Sequence, residues 1–146
     1  MILADPASTE ALGARLAALA RPGDVVTLAG PLGAGKTSIA RGLLAALGLA
    51  GEAPSPSFAI VQPYAPPEVR FPVLHVDLYR IEDVGELEEL GLDEAESDSL
   101  LLIEWPERAP GYWPNALQLT LAMAEDSGRR LTAEVPPGWR ERWQQI

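Results

Sequence analysis

The sequence predicts an α/β domain, and three observations carry that expectation. A short β-branched run, Val25-Val26-Thr27-Leu28-Ala29, passes through a glycine-rich stretch into a helix-patterned segment, which is one half of an α/β unit. Two later apolar runs, 73–76 and 100–103, each end in a carboxylate, Asp77 and Glu104. The chain has 146 residues, 47% of them hydrophobic, which suits one domain over 1–146 with a sizeable core.

Taken in order, residues 6–20 set Leu12, Leu16 and Leu19 on one helical stripe, with Asp5 and Pro6 as start signals. Arg21-Pro22-Gly23-Asp24 breaks that helix before the first strand. Residues 37–47 read as a helix closed by Gly48. Six prolines between Gly51 and Pro72 leave only 58–62 strand-like, so this stretch reads as loop, edge hairpin and loop. Nine acids and no base lie between Glu82 and Asp98, around Leu87, Leu90 and Leu92. That spacing suits short amphipathic helices with a solvated acidic face, and docking of a partner is the sharper alternative. Residues 116–122 and 129–135 read as antiparallel strands, followed by a short helix around Trp139 and Trp143.

Charge narrows the function. With 21 acids, 11 bases and a net charge of -10, the chain should repel a phosphate backbone, so tight unaided binding to nucleic acid is not expected. The absence of cysteine excludes disulfides, thiol catalysis and zinc–thiolate sites. The first residues show neither a charged nor an apolar leader pattern, and no apolar run approaches the ~18 residues of a membrane span. A cytoplasmic protein without membrane contact is expected. Ten of the eleven bases are Arg, and the single lysine, Lys36, stands out for that reason.

Lys36 falls within Gly30-Pro31-Leu32-Gly33-Ala34-Gly35-Lys36-Thr37, which matches G-x-x-x-x-G-K-[ST] between a predicted strand and a predicted helix. The glycines let successive amide N–H groups converge on an oxyanion, and the helix start adds its dipole. Lys36 would reach the β- and γ-phosphates, and the Thr37 hydroxyl would ligate Mg²⁺. Such a loop needs carboxylates at neighbouring strand ends, and Asp77 and Glu104 are the candidates. His75, the only histidine, shares the strand face of Asp77 and is read as a buried structural residue, with contact to the site as the alternative. Trp105 is read as packing or interface.

Counting removes one class. Guanine recognition by N-K-x-D needs a lysine outside the phosphate loop, and there is none; no D-x-x-G occurs either. Large motor ATPases are excluded by length, and a small-molecule kinase would need a lid and acceptor site, whereas Arg70, Arg80 and Arg108 are scattered.

The segments LAGPLGAGKTSIARGLLAALG, SPSF (55–58), HVDLYRI (75–81), ELEELGLDE (86–94) and LLIEWPER (101–108) follow one another in order. Together they resemble the TsaE (YjeE) family, the bacterial ATPase of tRNA threonylcarbamoyladenosine biosynthesis, over nearly the whole chain. The resemblance implies a small P-loop NTPase domain with a mixed, mostly parallel central sheet flanked by helices. It implies ATP and Mg²⁺ as cofactors, with Leu32, Gly33, Ala34, Gly35, Lys36 and Thr37 on the phosphates and Thr37 with Glu104 on the metal. It further implies Asp77 near the γ-phosphate as a hydrolytic residue beside Lys36, Ser57 in a switch-like segment, and Pro6 and Arg129 in a nucleoside pocket. The implied partners are TsaD and TsaB proteins, which handle the tRNA. The chain carries Ser57 where the family usually has Thr, keeping the hydroxyl, and Pro31 where it often has Asp. Two other readings differ in kind: a kinase that moves phosphate to a metabolite, and a nucleotide-sensing module without catalysis.

Overall fold

The computed structural model describes residues 1–51 and 61–146. The chain opens on a two-residue strand, β1 (Ile2–Leu3), which is too short for any alternating pattern to announce. Helix α1 (Pro6–Leu19) follows. Asp5 caps it: its Oδ1 accepts from the Ser8 N–H at 2.8 Å and the Ser8 hydroxyl at 2.7 Å, while Pro6 leaves no amide to satisfy in the first turn. Then come β2 (Val25–Ala29) and α2 (Lys36–Ala46). Strand β3 (Val61–Tyr64) includes 61–62 of the predicted 58–62 and runs on to Tyr64; residues 58–60 fall outside the described residues. β3 holds Pro63, which is tolerated because this is the outermost strand among the described residues.

The second half supplies β4 (Val73–Asp77), the short helices α3 (Gly85–Glu89) and α4 (Leu92–Ala95), and β5 (Leu100–Glu104). It ends with β6 (Leu117–Met123), β7 (Arg129–Glu134) and the short helix α5 (Arg140–Trp143). The described residues build a seven-stranded sheet in the order β1-β7-β6-β2-β5-β4-β3. Its four central strands are parallel, and β3, β7 and β1 join antiparallel at the edges. The sheet is thus mixed with a parallel centre, as expected. Because β2 lies between β5 and β6, the loop after Ala29 leaves the sheet at its middle, where open α/β sheets hold their ligands.

Alternation along the strands feeds two cores. Val26, Leu28, Leu100, Leu102 and Leu119 pack with Leu12, Leu16, Ile39, Leu43 and Leu44 of α1 and α2. On the opposite face Val25, Val76, Leu101 and Ile103 pack with Leu87, Leu92 and Trp113. The first face is fixed by an unusually close helix contact. A methyl group on Gly13 would lie 2.2 Å from the Ile39 carbonyl oxygen, and one on Gly42 would lie 2.1 Å from that of Glu10. Only hydrogen at both positions lets the α1 and α2 backbones meet, which sets the end of α1 near Asp5 against the start of α2.

On the second face α3 and α4 turn their leucines inward and leave Glu86, Glu88, Glu89, Asp93 and Glu94 exposed, the solvated acidic surface the spacing predicted. At the C-terminus, Arg142 pairs with Asp24 at 2.6 Å and donates to the Leu19 carbonyl at 3.0 Å, tying α5 to the end of α1.

Candidate functional site

The C-terminal ends of β4 and β5 and the loop that follows β2 converge on one cleft of about 380 Å³. Register places the acids: Asp77 is the direct partner of Glu104 across β4 and β5, and Leu28 is the partner of Glu104 across β2 and β5. Two carboxylates therefore stand side by side at the edge from which the glycine loop departs. Leu32, Gly33, Ala34, Gly35, Lys36 and Thr37 line this cleft together with Asp77 and Glu104. Gly35 has the left-handed φ of 106° that lets the loop turn into α2, for which it is the N-cap.

Contacts across the cleft are short. The Thr37 hydroxyl donates to Glu104 Oε1 at 3.0 Å, with Oε2 at 3.3 Å. A hydroxyl and a carboxylate at this spacing are the hard oxygen donors that Mg²⁺ accepts. Among the described residues no group of three or more His, Cys, Asp or Glu forms a cage. Lys36 is buried and donates to the carbonyls of Gly30 and, at 3.4 Å, Pro31. Its ammonium also lies 3.5 Å from the centroid of the Trp105 ring, a cation–π contact. Burial pushes its pKa down, and the nearby carboxylates, Glu104 first, oppose that shift. Asp77 is pushed up, chiefly by burial; the Tyr79 N–H, which donates to its Oδ1 at 2.9 Å, works against this.

A second, smaller pocket of about 170 Å³ lies on the other side of the same loop. Leu3, Asp5, Pro6 and Thr9 line it from the N-terminus, Ser127 and Arg129 from the start of β7, and Gly33, Ala34, Gly35 and Ser38 from the loop and α2. Pro6 and Arg129, 123 positions apart in sequence, thus share a wall. Arg129 also braces the loop: its Nε donates to the Ala34 carbonyl at 3.1 Å and its Nη2 to the Gly33 carbonyl at 3.3 Å. Ser57 and the SPSF segment lie outside the described residues.

Sequence reasoning did not foresee several of these positions. Trp105, read as packing or interface, does pack on Tyr79 with ring centroids 4.9 Å apart, but its ring also faces the lysine. Its φ of 61° is rare for a bulky residue and turns the chain sharply after Glu104. Tyr79 and Arg80, which directly follow Asp77-Leu78, line the cleft as well. His75 is wholly buried, as read, and its Nε2 lies 2.6 Å from Glu104 Oε2, so the structural residue and the site neighbour are one. Adjacency to Glu104 and Asp77 was the available signal for Trp105 and Tyr79; for His75 the strand order was needed.

A glycine loop between a central parallel strand and a helix, with a lysine and two strand-end acids around it, defines a small P-loop α/β protein of nucleotide-binding type. The comparisons narrow that class. The model of the family described as "Threonylcarbamoyl adenosine biosynthesis protein TsaE" matches residues 3–131, and the chain belongs to this family. It is 39% identical over 130 residues to the tRNA threonylcarbamoyladenosine biosynthesis protein TsaE of Bacillus subtilis, covering 88% of this chain and 80% of that one. To the protein of the same name from Streptomyces coelicolor it is 39% identical over 135 residues, covering 90% and 91%. Its fold superposes on the crystal structure of Bacillus subtilis YdiB with a TM-score of 0.83 at 31% identity, over 99% of this chain and 90% of that chain.

Proposed function

We propose that this chain is an Mg²⁺-dependent ATPase that serves tRNA threonylcarbamoylation in the cytoplasm by acting on a TsaD–TsaB-type complex. One observation carries the catalytic part: Thr37, Glu104 and Asp77 meet beside Lys36 at the open end of three parallel strands. The loop amides and Lys36 would cradle the phosphates, with the ammonium exchanging its contacts to the Gly30 and Pro31 carbonyls for phosphate oxygens. Thr37 and Glu104 would hold Mg²⁺, which when bound neutralises charge on the β- and γ-phosphate oxygens. Asp77 has one oxygen engaged by the Tyr79 N–H; the other would orient the attacking water. The pocket shared by Pro6 and Arg129 would take the nucleoside.

Partner action is supported by the family's role in threonylcarbamoyladenosine biosynthesis and by charge. A chain of net charge -10, with an exposed acidic surface on α3 and α4, is suited to a protein partner that carries the tRNA, not to the tRNA itself. The test is phosphate release from Mg·ATP by the purified chain, with and without a TsaD–TsaB pair. Slow turnover that rises when the pair is added is expected. A rate indifferent to the pair would remove the proposed coupling, and tight tRNA binding by the chain alone at physiological salt would remove the division of labour.

A further inference from the structure

Beneath the cleft floor lies a side chain that the proposed chemistry does not use. His75 is fully buried, as is nearly all of Glu104. The two belong to adjacent parallel strands: His75 is the direct partner of Leu102, so Glu104 is its diagonal neighbour on the same sheet face. Its Nε2 is 2.6 Å from Glu104 Oε2, while Nδ1 is buried with no hydrogen-bond partner among the described residues.

Those two facts favour the Nε2–H tautomer. A proton on Nδ1 alone would bury an unsatisfied donor and aim the Nε2 lone pair at a carboxylate oxygen, both of which are costly. A proton on Nε2 gives a charge-assisted hydrogen bond to Glu104 and leaves only a bare acceptor at Nδ1. Glu104 is then held at both ends, by His75 at Oε2 and most closely by the Thr37 hydroxyl at Oε1.

Resting on the Mg²⁺–nucleotide reading of the cleft, we infer that His75 is a positioning residue: as the Nε2–H tautomer it locks the Glu104 carboxylate into the orientation that receives the metal. Hydrogen-bonding partners of metal-binding carboxylates commonly matter this much. The Nε2–H donor at that depth is what counts, not the volume of the ring.

The test compares His75→Leu, which keeps bulk without a donor, with His75→Gln, which can return an N–H to the position of Nε2. Binding of a fluorescent ADP analogue, MANT-ADP, is titrated with Mg²⁺ for each. His75→Leu is expected to need on the order of 10- to 100-fold more Mg²⁺ for half-saturation, with metal-free MANT-ADP binding unchanged, and His75→Gln to restore most of the loss. Equal shifts in both variants, or none in either, would overturn the proposal. A wild-type chain that binds MANT-ADP without regard to Mg²⁺ would instead sink the reading of the cleft itself. Because His75 is the only histidine, ¹⁵N-histidine labelling of the wild type gives a second route that does not depend on a variant folding. Nε2 should carry a proton and its signal should move when Mg·ADP is added. A proton on Nδ1, or an Nε2 signal indifferent to Mg·ADP, would refute it.

Discussion

The two sides of the glycine loop are built differently. On one side, Asp77, Glu104 and His75 stand on central parallel strands whose register fixes their positions, with Thr37 at the start of α2 hydrogen-bonded to Glu104; the three strand residues are buried and Thr37 is half-buried. On the other side, Pro6 and Arg129 come from a chain terminus and the start of an outer strand; Pro6 is exposed and Arg129 half-buried. The side that would perform chemistry is anchored in the sheet, and the side that would read the nucleoside is assembled from its edge. Rigid support is placed where a misplacement of an ångström costs most.

The sharpest way to break this comparison is to remove one group from the anchored side. Lys36→Ala, Asp77→Ala and Glu104→Ala should each lower ATP turnover by about a thousandfold. Asp77→Ala should largely keep nucleotide affinity, because in the proposed role Asp77 would support the reaction more than the ground state. Single-turnover phosphate release together with equilibrium ADP binding separates the two quantities. If Asp77→Ala loses affinity as steeply as turnover, Asp77 belongs to the binding surface instead.

How much of each side was legible in the sequence follows from the same contrast. The phosphate loop and the two strand-end acids are contiguous patterns, so Lys36, Thr37, Asp77 and Glu104 could be named before any strand was placed. His75 could be put on the correct face by its spacing from Asp77, but its contact with Glu104 depends on β4 lying next to β5, which no local pattern encodes. On the nucleoside side, β1 is two residues long and pairs with β7, so Ile2 meets Arg130 through a contact 128 positions apart. Residue patterning cannot show that pairing; the family resemblance alone pointed to Pro6 and Arg129. Even then the bracing of the loop carbonyls by Arg129 was visible only in three dimensions. Strand β3 runs on to Tyr64, past the predicted end at 62, through Pro63, a residue that argues against a strand except on an outer edge.

The α1–α2 contact joins the two sides and offers the next test. Gly13→Ala would press a methyl group onto the α2 backbone, separate the helices and cost about 1–3 kcal/mol of stability. Because Asp5, Pro6 and Thr9 ride on α1, the nucleoside side should shift while the β4–β5 acids stay. Thermal unfolding gives the cost. ADP affinity should fall relative to that for inorganic tripolyphosphate, and an equal fall in both would mean the loop itself had moved. A smaller effect is expected from Arg129→Ala, which frees the Gly33 and Ala34 carbonyls and removes a wall of the second pocket. ADP affinity should drop about tenfold, in keeping with loss of charge-assisted hydrogen bonds, with turnover at saturating ATP nearly unchanged. A large loss of turnover at saturation would instead make Arg129 part of the anchored side.

The smallest expected effect probes what the anchored side costs the fold. Burial raises the Asp77 pKa above its ordinary value of 3.8, so the folded chain holds that proton more tightly than the unfolded chain does. The sign of the linkage follows: at neutral pH the ionised carboxylate opposes folding, and the penalty is full above the raised folded-state pKa. It shrinks as pH falls from there toward 3.8 and is gone below. Asp77→Asn removes the charge, so it should be the more stable protein at pH 7 by about 1 kcal/mol and lose that advantage on acidification. Urea midpoints for both proteins at pH 7 and near pH 4 measure the difference. An advantage that persists unchanged at the lower pH would mean that packing, not the buried charge, distinguishes them. An advantage that vanishes would show a carboxylate kept at a site where it weakens the fold, as expected of a group retained for its reaction.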